Sequence, residues 1–317
     1  MKGGKTGRVL VALGGNAILK HTEKGTAEEQ IRNIRTTSRR LAEVVREGHS
    51  ITVTHGNGPQ VGDILLRNEF SKSILPPMPI DVCGAESQGM IGYFLQQTLH
   101  NELVERGLSL PVVTVLTQTV VDEDDPAFSM PSKPIGPFYT ALEASNMKEE
   151  RGWEVANDSG RGWRRVVPSP MPVSIVEAES IKKLVTSGYL VIACGGGGVP
   201  VIRKKGGELR GVEAVVDKDR SAAILAKMID ADTLLILTDV EGAFSDFGKR
   251  GQLPIPRMTV EEAEEMLAEG TFAAGSMRPK VEAAVQFLQW GGKKAIITCL
   301  ECALLGLEGK KGTTIVP

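Results

Sequence analysis

The sequence predicts an α/β fold: an open, mostly parallel central sheet sandwiched by helices, in two lobes, with a protruding insertion in the N-terminal lobe. Short apolar runs alternate along the chain with segments of helical periodicity, which is typical of parallel sheets covered by helices. A length of 317 residues suits about two domains of ~150 residues. Hydrophobic residues make up 41% and charged residues 24%, so the chain can bury a sizeable core.

The first half of the chain opens with an apolar run at 9–13, which predicts a buried strand ending at Gly14-Gly15. Apolar residues then recur at helical spacing, so we expect a helix over 27–47 that stops at Gly48. By the same criteria we expect strands at 51–54 and 112–116, and helices near 61–69 and 85–106.

A proline-rich stretch then interrupts the alternation. It spans 122–172, contains seven prolines and lacks a long helical period. Proline fixes φ and removes a backbone donor, so such a stretch suits neither a central strand nor a long helix. We predict a protruding insertion here, with a mobile lid over about 125–170.

Regular alternation resumes with a helix near 177–187 and a strand at 189–193 that ends at the glycine run 195–198. Two short strands flank the turn at Gly206-Gly207. We expect the remaining helices near 221–229, 260–269 and 280–290, and strands at 233–238, 295–298 and 313–316. The predicted N-terminal lobe is 1–195 and the C-terminal lobe is 196–317.

Composition excludes several classes of protein. The net charge of −2 argues against a broad nucleic-acid or membrane-surface footprint, which needs a basic excess. No stretch approaches the ~18 apolar residues of a spanning helix, and the polar start has no signal-peptide pattern. Four cysteines do not make a disulfide framework, so we expect a cytoplasmic protein.

Glycine is the compositional outlier, at 36 of 317 residues, about one in nine, against a usual ~7%. Three clusters each follow a predicted strand: Gly14-Gly15, Gly56-Asn57-Gly58 and Gly195 to Gly198. Ligands of parallel sheets bind beyond the carboxyl ends of strands, where glycine lets backbone N–H groups approach an anion. The clusters therefore predict anion binding, although any one of them could be an ordinary strand-to-helix turn.

Two common phosphate motifs are excluded. The chain has no G-x-x-x-x-G-K-[ST] sequence, so it is not a P-loop protein. A dinucleotide fingerprint fails because Gly62 comes one residue late after Gly56 and Gly58. The acidic residue at the expected distance, Asp81, follows a proline-rich stretch rather than a buried strand.

Three lysines lie at positions where the local backbone can direct their charge toward a ligand. Lys218 follows an apolar run between two aspartates, Lys280 lies at a proline-marked helix start, and Lys133 lies in a stiff proline-flanked loop. Most lysines are solvated surface residues, and that reading stays open for each. Phosphoryl transfer needs such point charges, because its catalysis is mainly positioning and electrostatics.

Other chemistries find less support in the sequence. The four histidines show no metal-ligand spacing, and His55 beside a glycine loop suits a structural hydrogen bond. Cys299 and Cys302 form a C-x-x-C pattern without a second pair, which favours two half-buried small residues. The acidic run at 122–125 suits a solvated turn.

Several motifs together resemble the amino-acid kinase superfamily, and its carbamate kinases in particular. They occur in the family's order over essentially the whole chain, which is far more specific than one glycine loop. The motifs are ALGGNA at 12–17, THGNGPQVG at 54–62, KPIGPFY at 133–139, DSGRGWRRVVPSP at 158–170, DKD at 217–219, LTDV at 237–240 and GSMRPK at 275–280.

The resemblance implies reversible phosphoryl transfer between ATP and carbamate, giving ADP and carbamoyl phosphate, with Mg²⁺ accompanying the nucleotide. It implies a homodimer built through the N-terminal lobe's sheet. Lys218 and Lys280 would hold the transferring group, Asp219 would orient them, and Lys133 would reach over the carbamate. The substrate donors implied are Gly14, Gly15, Asn16, Gly56, Asn57 and Gly58, and the nucleotide residues implied are Thr238, Asp239, Val240, Ser276 and Met277.

Two departures from the superfamily pattern qualify the resemblance. Ala12 stands where many relatives carry a lysine, an absence that carbamate kinases share and that favours Lys133 in its place. Arg278 stands where glycine is expected, so the local loop geometry stays open. Two other functions also remain open: a related kinase for another small carboxylate or phosphate, and a nucleotide-sensing module without turnover.

Overall fold

The computed structural model describes residues 6–20, 22–158, 160, 162–245, 247, 251–273 and 275–317. The strands within these ranges are β1 (Thr6–Leu13), β2 (His49–His55), β3 (Val112–Thr114), β4 (Gln118–Val121), β5 (Lys133–Tyr139), β6 (Val155–Asn157), β7 (Trp163–Val167), β8 (Pro172–Ile175), β9 (Leu190–Ile192), β10 (Val199–Arg203), β11 (Leu209–Gly211), β12 (Thr233–Thr238), β13 (Phe244–Ser245), β14 (Leu253–Pro254), β15 (Arg257–Thr259), β16 (Lys294–Cys299) and β17 (Thr313–Val316).

The helices alternate with these strands as the sequence predicts. They are α1 (Ala27–Arg46), α2 (Gly58–Ser71), α3 (Ile80–Glu105), α4 (Ala141–Arg151), α5 (Ala178–Thr186), α6 (Lys218–Met228), α7 (Val260–Ala268), α8 (Met277–Gln289) and α9 (Ala303–Leu307).

The central sheet confirms the predicted fold class. Its eight strands run in the order β15-β17-β16-β12-β1-β2-β9-β3, and neighbours are parallel except for β16 and β17. Parallel strands need helical crossovers, which cover both faces of the sheet here. Residues of β1 alternate between the two resulting cores: Leu10 and Ala12 pack into one, and Val9, Val11 and Leu13 into the other. The unbroken apolar run at 9–13 is therefore buried on both sides.

The middle of the sheet brings distant segments of the chain to one edge. In the register of β1, Leu13 lies opposite His55 of β2 and opposite Leu237 of β12. The loops that follow these strands therefore begin side by side. The N–H of Gly14 donates to the Leu237 carbonyl at 2.9 Å, and the N–H of Gly56 donates to the Leu13 carbonyl at 3.1 Å.

The predicted insertion contains a three-stranded sheet in the order β5-β7-β6, together with α4. The sequence analysis did not predict this helix, which is 11 residues long. Helix α4 buries only Ala144, so it has almost no apolar period to detect. Instead, Thr140 and Glu143 form a capping box at its start, and Gly152 in the left-handed region ends it. Ser159 and Arg161 of the insertion motif lie outside the described residues.

Four helices begin earlier than predicted, because residues of the neighbouring loop motifs form their first turns. Helix α2 begins at Gly58 with Pro59 next, and α3 begins directly after Pro79. Helix α6 begins at Lys218 and α8 at Met277. Proline is well tolerated in a first turn, where its missing N–H has no helical partner. The earlier starts place Lys218 and Lys280 in the first turns of their helices.

A second sheet has the order β11-β10-β4-β8, and its strands β10 and β11 form the predicted hairpin about Gly206-Gly207. The predicted lobe boundary at 195/196 falls between β9 and β10, while the central sheet continues from one side of it to the other through the β1–β12 pair. The two-lobe division stays a prediction. In the described part of the chain, no helix is both long and apolar enough to cross a membrane.

Candidate active site

The first cavity of the site lies at the carboxyl edge of β1 and β2 and has a volume of about 470 Å³. Five of the six predicted substrate residues line it: Gly15, Asn16, Gly56, Asn57 and Gly58. Gly14 lines a neighbouring cavity of about 340 Å³ instead. Lys218 reaches the first cavity from α6 and Lys133 reaches it from β5, so two of the predicted lysines face the glycine loops.

The third glycine cluster serves mainly to let other groups come close. Gly196, Gly197 and Gly198 all have positive φ, and all of 195–198 is buried. An added Cβ would lie 2.1 Å from the Asn57 amide nitrogen at Gly196, and 2.0 Å from the Thr119 hydroxyl oxygen at Gly198. Only Gly196 of this run lines the first cavity. The absence of side chains in this run therefore leaves room for Asn57 and Thr119.

The second cavity lies at the carboxyl end of β12 and has a volume of about 170 Å³. All five predicted nucleotide residues line it: Thr238, Asp239, Val240, Ser276 and Met277. Lys280 lines it too, and Phe244, Phe247 and Phe272 supply an apolar wall that the sequence did not predict. Its volume is below the ~300–1,000 Å³ of a typical whole-ligand pocket, so it suits one part of a nucleotide.

One carboxylate joins the two cavities. Asp219 Oδ1 accepts a hydrogen bond from Lys218 Nζ, and Asp219 Oδ2 accepts one from Lys280 Nζ at 3.2 Å. Lys218 faces the first cavity and Lys280 the second. The side chain of Asp219 is 5% exposed, so these bonds are shielded from water. Lys280 Nζ also donates to the Ser276 carbonyl at 3.2 Å.

Lys133 belongs to the same network through a second carboxylate. Its Nζ lies 2.5 Å from Asp217 Oδ2, and Asp217 is the N-cap of α6, accepting from the Asp219 N–H at 2.9 Å. Asp217 was not among the predicted site residues. The signal was present, since aspartate before a helical segment is a typical N-cap. Three ammonium groups and two carboxylates leave a net charge of one positive in this network.

Burial and neighbouring charges shift the pKa values of the network. Burial lowers the pKa of Lys218, and the nearby Lys280 ammonium adds to the shift, while Asp219 opposes it. Burial also acts to lower the pKa of Lys280, but Asp219 and Asp217 outweigh it, so that pKa is raised. Burial opposes ionisation of Asp217 and Asp219 as well, yet the neighbouring lysines hold both carboxyl pKa values below their usual range.

Two of the predicted binding residues touch each other at the mouth of the site. Asn16 Nδ2 donates to Asp239 Oδ2 at 2.5 Å, across 223 residues of sequence. Asn57 instead turns inward, where its amide nitrogen donates to the Ser87 hydroxyl at 2.8 Å. Asn57 is therefore a buried support of the loop, whereas Asn16 and Asp239 lie at the opening between the loops after β1 and β12.

Comparison with known proteins gives a consistent result. The model of the amino acid kinase family matches residues 7–299. The carbamate kinase of Pyrococcus horikoshii is 53% identical over 312 residues, covering 98% of this chain and 99% of that protein. The structure of carbamate kinase from Giardia lamblia bound to citric acid has a TM-score of 0.93 at 43% identity, covering 98% of each chain. The same enzyme bound to AMP-PNP gives a TM-score of 0.89 at 43% identity, again covering 98% of each.

The chain belongs to the amino acid kinase family. Within that family it groups with the carbamate kinases, and the prediction of an enzyme of the kinase class is confirmed.

The position of Arg278 is settled by the structure of this amino acid kinase. Arg278 lines neither cavity of the site. Its Nε donates to Glu282 Oε1 at 2.8 Å, one turn further along α8, and Arg220 Nη2 approaches the other carboxylate oxygen of Glu282 at 3.5 Å. The arginine at this position therefore belongs to a surface ion pair that links α8 to α6.

Two further residues of the kinase site were missed by sequence reasoning. Arg164 lines the first cavity, and its Nε donates to the Gly136 carbonyl at 2.9 Å. Asp63 of α2 lines the same cavity, and burial raises the pKa of its carboxyl group. Both lie inside recognised motifs or helices, but no spacing rule marks them as site residues. His55 has the structural role expected of it, because its Nδ1 bonds the Gly56 carbonyl at 2.9 Å and burial lowers its pKa to about 4.

Proposed function

We propose that this kinase transfers a phosphoryl group reversibly between ATP and carbamate, giving ADP and carbamoyl phosphate. The observation that supports it most is the bridge made by Asp219, which holds one lysine against each of the two cavities. A phosphoryl group transferred between the two cavities would have one of these ammonium groups on each side. The carbamate kinases among its relatives, at 53% identity over 98% of the chain, support the same reaction.

Carbamate would lie in the first cavity, in the N-terminal lobe, among the loops of Gly14 to Asn16 and Gly56 to Gly58. Backbone N–H groups at glycines can approach an anion closely, and the N-terminus of α2 begins at Gly58. Lys133 would add a cation from the insertion. This arrangement suits a small anionic substrate held largely by backbone donors.

The nucleotide would lie on the C-terminal side, with one portion in the second cavity. The apolar wall of phenylalanines suits a flat base, and Lys280, which lines the same cavity, suits the phosphates. Mg²⁺ prefers a few carboxylates plus substrate phosphates. Asp239, which is exposed beside the second cavity, fits as a carboxylate toward nucleotide-borne Mg²⁺, and no cluster of three or more ligands is found among the described residues.

Electrostatic stabilisation would supply the catalysis. The network has one excess positive charge before substrate binds, so the charge on the transferring phosphoryl oxygens is met by groups already in place. At ~4 Å and an effective dielectric of ~20, one ammonium is worth about 4 kcal/mol to one phosphate charge. Carbamate is already an oxyanion, so its attack on phosphorus needs no general base.

Asp219 would act as a positioning residue. It receives both lysines and is the second residue of α6, so its backbone is fixed by the Asp217 cap. A carboxylate between two ammonium groups keeps them close despite their repulsion. Its role is to aim Lys218 and Lys280 rather than to touch the phosphoryl group.

The insertion would act as a lid over the carbamate. It supplies seven residues to the lining of the first cavity, 133–138 and Arg164, so opening it would remove all seven at once. Arg151 of α4 stacks its guanidinium 5.7 Å from the ring centre of Phe70 on α2, which gives the lid a second contact with the body.

The homodimer is also proposed. Strand β3 is the edge strand of the central sheet beside β9. Tyr93 of the adjacent α3 is 57% exposed. Leu116 beside β3 is 55% exposed. Exposed apolar residues along a sheet edge are typical of an interface.

A coupled assay tests the reaction. Purified protein given ADP, Mg²⁺ and carbamoyl phosphate should form ATP, and given ATP with bicarbonate and ammonia should form ADP. N-acetylglutamate serves as the control acceptor. ADP formation with N-acetylglutamate but none with bicarbonate and ammonia would contradict the proposal in favour of a related kinase. Nucleotide binding by calorimetry without turnover in either direction would indicate a sensing module.

A further inference from the structure

The C-x-x-C pair is built differently from two independent small residues. Cys299 is the last residue of β16, and Cys302 follows through a single 3₁₀ turn over Leu300–Cys302. Burial and the nearby Cys299 thiol raise the pKa of Cys302, and both residues are partly exposed. The other two cysteines, Cys83 and Cys194, are buried. The pair is thus the part of the cysteine content that solvent reagents can reach.

The backbone of the turn suits a covalent link. In a 3₁₀ turn, residues three apart lie on the same side, and a rise of ~2.0 Å per residue puts their Cα atoms about 6 Å apart. Disulfides span Cα distances of roughly 4.4–6.8 Å. The link therefore needs side-chain movement but little movement of the main chain.

The turn also forms part of the nucleotide side of the site. In the β12–β16 pairing, Cys299 lies opposite Thr238. Leu300 and Glu301, the two residues between the cysteines, line a cavity of about 340 Å³ with Asn16, Thr238 and Asp239. A change in the conformation of the turn would therefore act directly on the loop that follows β12.

We propose that Cys299 and Cys302 are a redox modification site, at which a reversible intramolecular disulfide reshapes this turn and weakens nucleotide binding. The oxidant is a small-molecule disulfide. One cysteine thiolate attacks its S–S bond, forming a mixed disulfide and releasing one thiolate. The second cysteine thiolate displaces the other half, forming the Cys299–Cys302 bond. In all, the two cysteines lose two electrons and two protons, and the oxidant is reduced to two thiols.

The coupling follows from the change in sulfur position. The two sulfur atoms must approach to the ~2.0 Å of an S–S bond, which draws the side chains of the turn together. Burial and the Cys299 thiol raise the pKa of Cys302 to about 11, so this thiol stays protonated at neutral pH and oxidation speeds up as pH rises. The effect on the nucleotide rests on the proposed function of the second cavity, whereas the disulfide itself does not.

The modification is tested by mass spectrometry of the native full-length protein. After incubation with oxidised glutathione and alkylation, the peptide 295–310 should be two hydrogen atoms lighter and unalkylated, and dithiothreitol should reverse this. Cys83 and Cys194 should stay reduced and be alkylated only after denaturation. A 295–310 peptide that is fully alkylated, or that carries glutathione without an internal bond, would overturn the modification site.

The coupling is tested by calorimetry with Mg-ADP. The oxidised protein should bind ADP about fivefold more weakly than the reduced protein, at the lower end of typical coupling between sites. A Cys299→Ser, Cys302→Ser double variant should bind ADP like the reduced protein and ignore oxidised glutathione. Equal ADP affinity of oxidised and reduced wild type would overturn the coupling. If the disulfide is detected by mass spectrometry but the reduced protein shows no kinase turnover, the result would count against the proposed function instead.

Discussion

Lys133 and Asp217 form an ion pair at 2.5 Å, across 84 residues of sequence. Lys133 lies on the first strand of the insertion, and Asp217 caps the helix that carries Lys218 and Asp219. The pair therefore ties the proposed lid directly to the end of α6 at which we propose phosphoryl transfer. A substrate in the first cavity would compete with Asp217 for the Lys133 ammonium.

Removal of Lys133 should act mainly on carbamoyl phosphate. In Lys133→Met, which keeps the aliphatic stem, we expect KM for carbamoyl phosphate to rise at least tenfold, since one ammonium near one phosphate charge is worth a few kcal/mol. The affinity for ADP, measured by calorimetry, should change less than threefold, because Lys133 lines only the first cavity. Equal losses for both ligands would show that Lys133 supports the whole site instead.

Lys218 and Lys280 should control the chemical step. Lys218→Ala or Lys280→Ala should lower kcat by about 10²–10⁴, equivalent to ~3–5.5 kcal/mol of transition-state stabilisation. The matched control is Lys227→Ala on the same helix as Lys218, since Lys227 stacks 4.7 Å from the Trp290 ring centre, away from both cavities. Steady-state kinetics of ATP formation measures the effect. A kcat within tenfold of wild type would remove that lysine from the mechanism.

The pH dependence of kcat/KM at alkaline pH should reflect the titration of Lys218. Its pKa is lowered, chiefly by burial and then by Lys280, so the ammonium form is lost at lower pH than for an ordinary lysine. We expect kcat/KM for carbamoyl phosphate to fall as pH rises through this pKa, since kcat/KM reports the free enzyme. Lys218→Arg should keep some activity and move the falling limb to higher pH. An unchanged limb in that variant would assign the titration to another group.

We expect bound ligands to protect the proposed lid from proteolysis. Limited proteolysis should cut within 125–170 in the free protein and more slowly with ADP and carbamoyl phosphate present, because the ligands bind Lys133 and close the insertion over the first cavity. Cleavage outside the insertion is the internal control. Equal rates of cutting within 125–170 with and without ligands would argue against a mobile lid.

The contact between α2 and β5 offers a stability test. A Cβ added to Gly62 would lie 1.9 Å from the Cα of Gly136, a backbone atom that cannot move aside alone. Gly62→Ala should therefore lower the free energy of unfolding by about 1–3 kcal/mol, as overpacked positions do.

Gly84→Ala on α3 is the matched control, since nothing lies within 4 Å of an added Cβ. It should raise the free energy of unfolding by about 1 kcal/mol. A Gly62→Ala protein as stable as wild type in thermal and chemical unfolding would show that the insertion yields at this contact.

The sequence was most informative where an element has a strong apolar pattern. The run at 9–13 predicted β1 because both faces of that strand are buried in separate cores. The helix α4 was missed because its stability comes from a capping box and a left-handed glycine rather than from an apolar face. Helix starts at Gly58 and Lys218 were placed three residues late, because glycine and charged residues were assigned to loops when they form a first turn.

The sequence by itself determined the fold class, the family and thirteen of the residues that line the two cavities, because strand patterns and motifs are local. It marked Lys218, Lys280 and Asp219 without saying that one carboxylate bonds both lysines. Which residues meet across the site, such as Asn16 with Asp239 and Lys133 with Asp217, was decided by the tertiary structure alone. The physical reason is that strand order and register bring chain segments together that no sequence spacing relates. The same register places Cys299 beside Thr238 and so brings the C-x-x-C pair to the edge of the site.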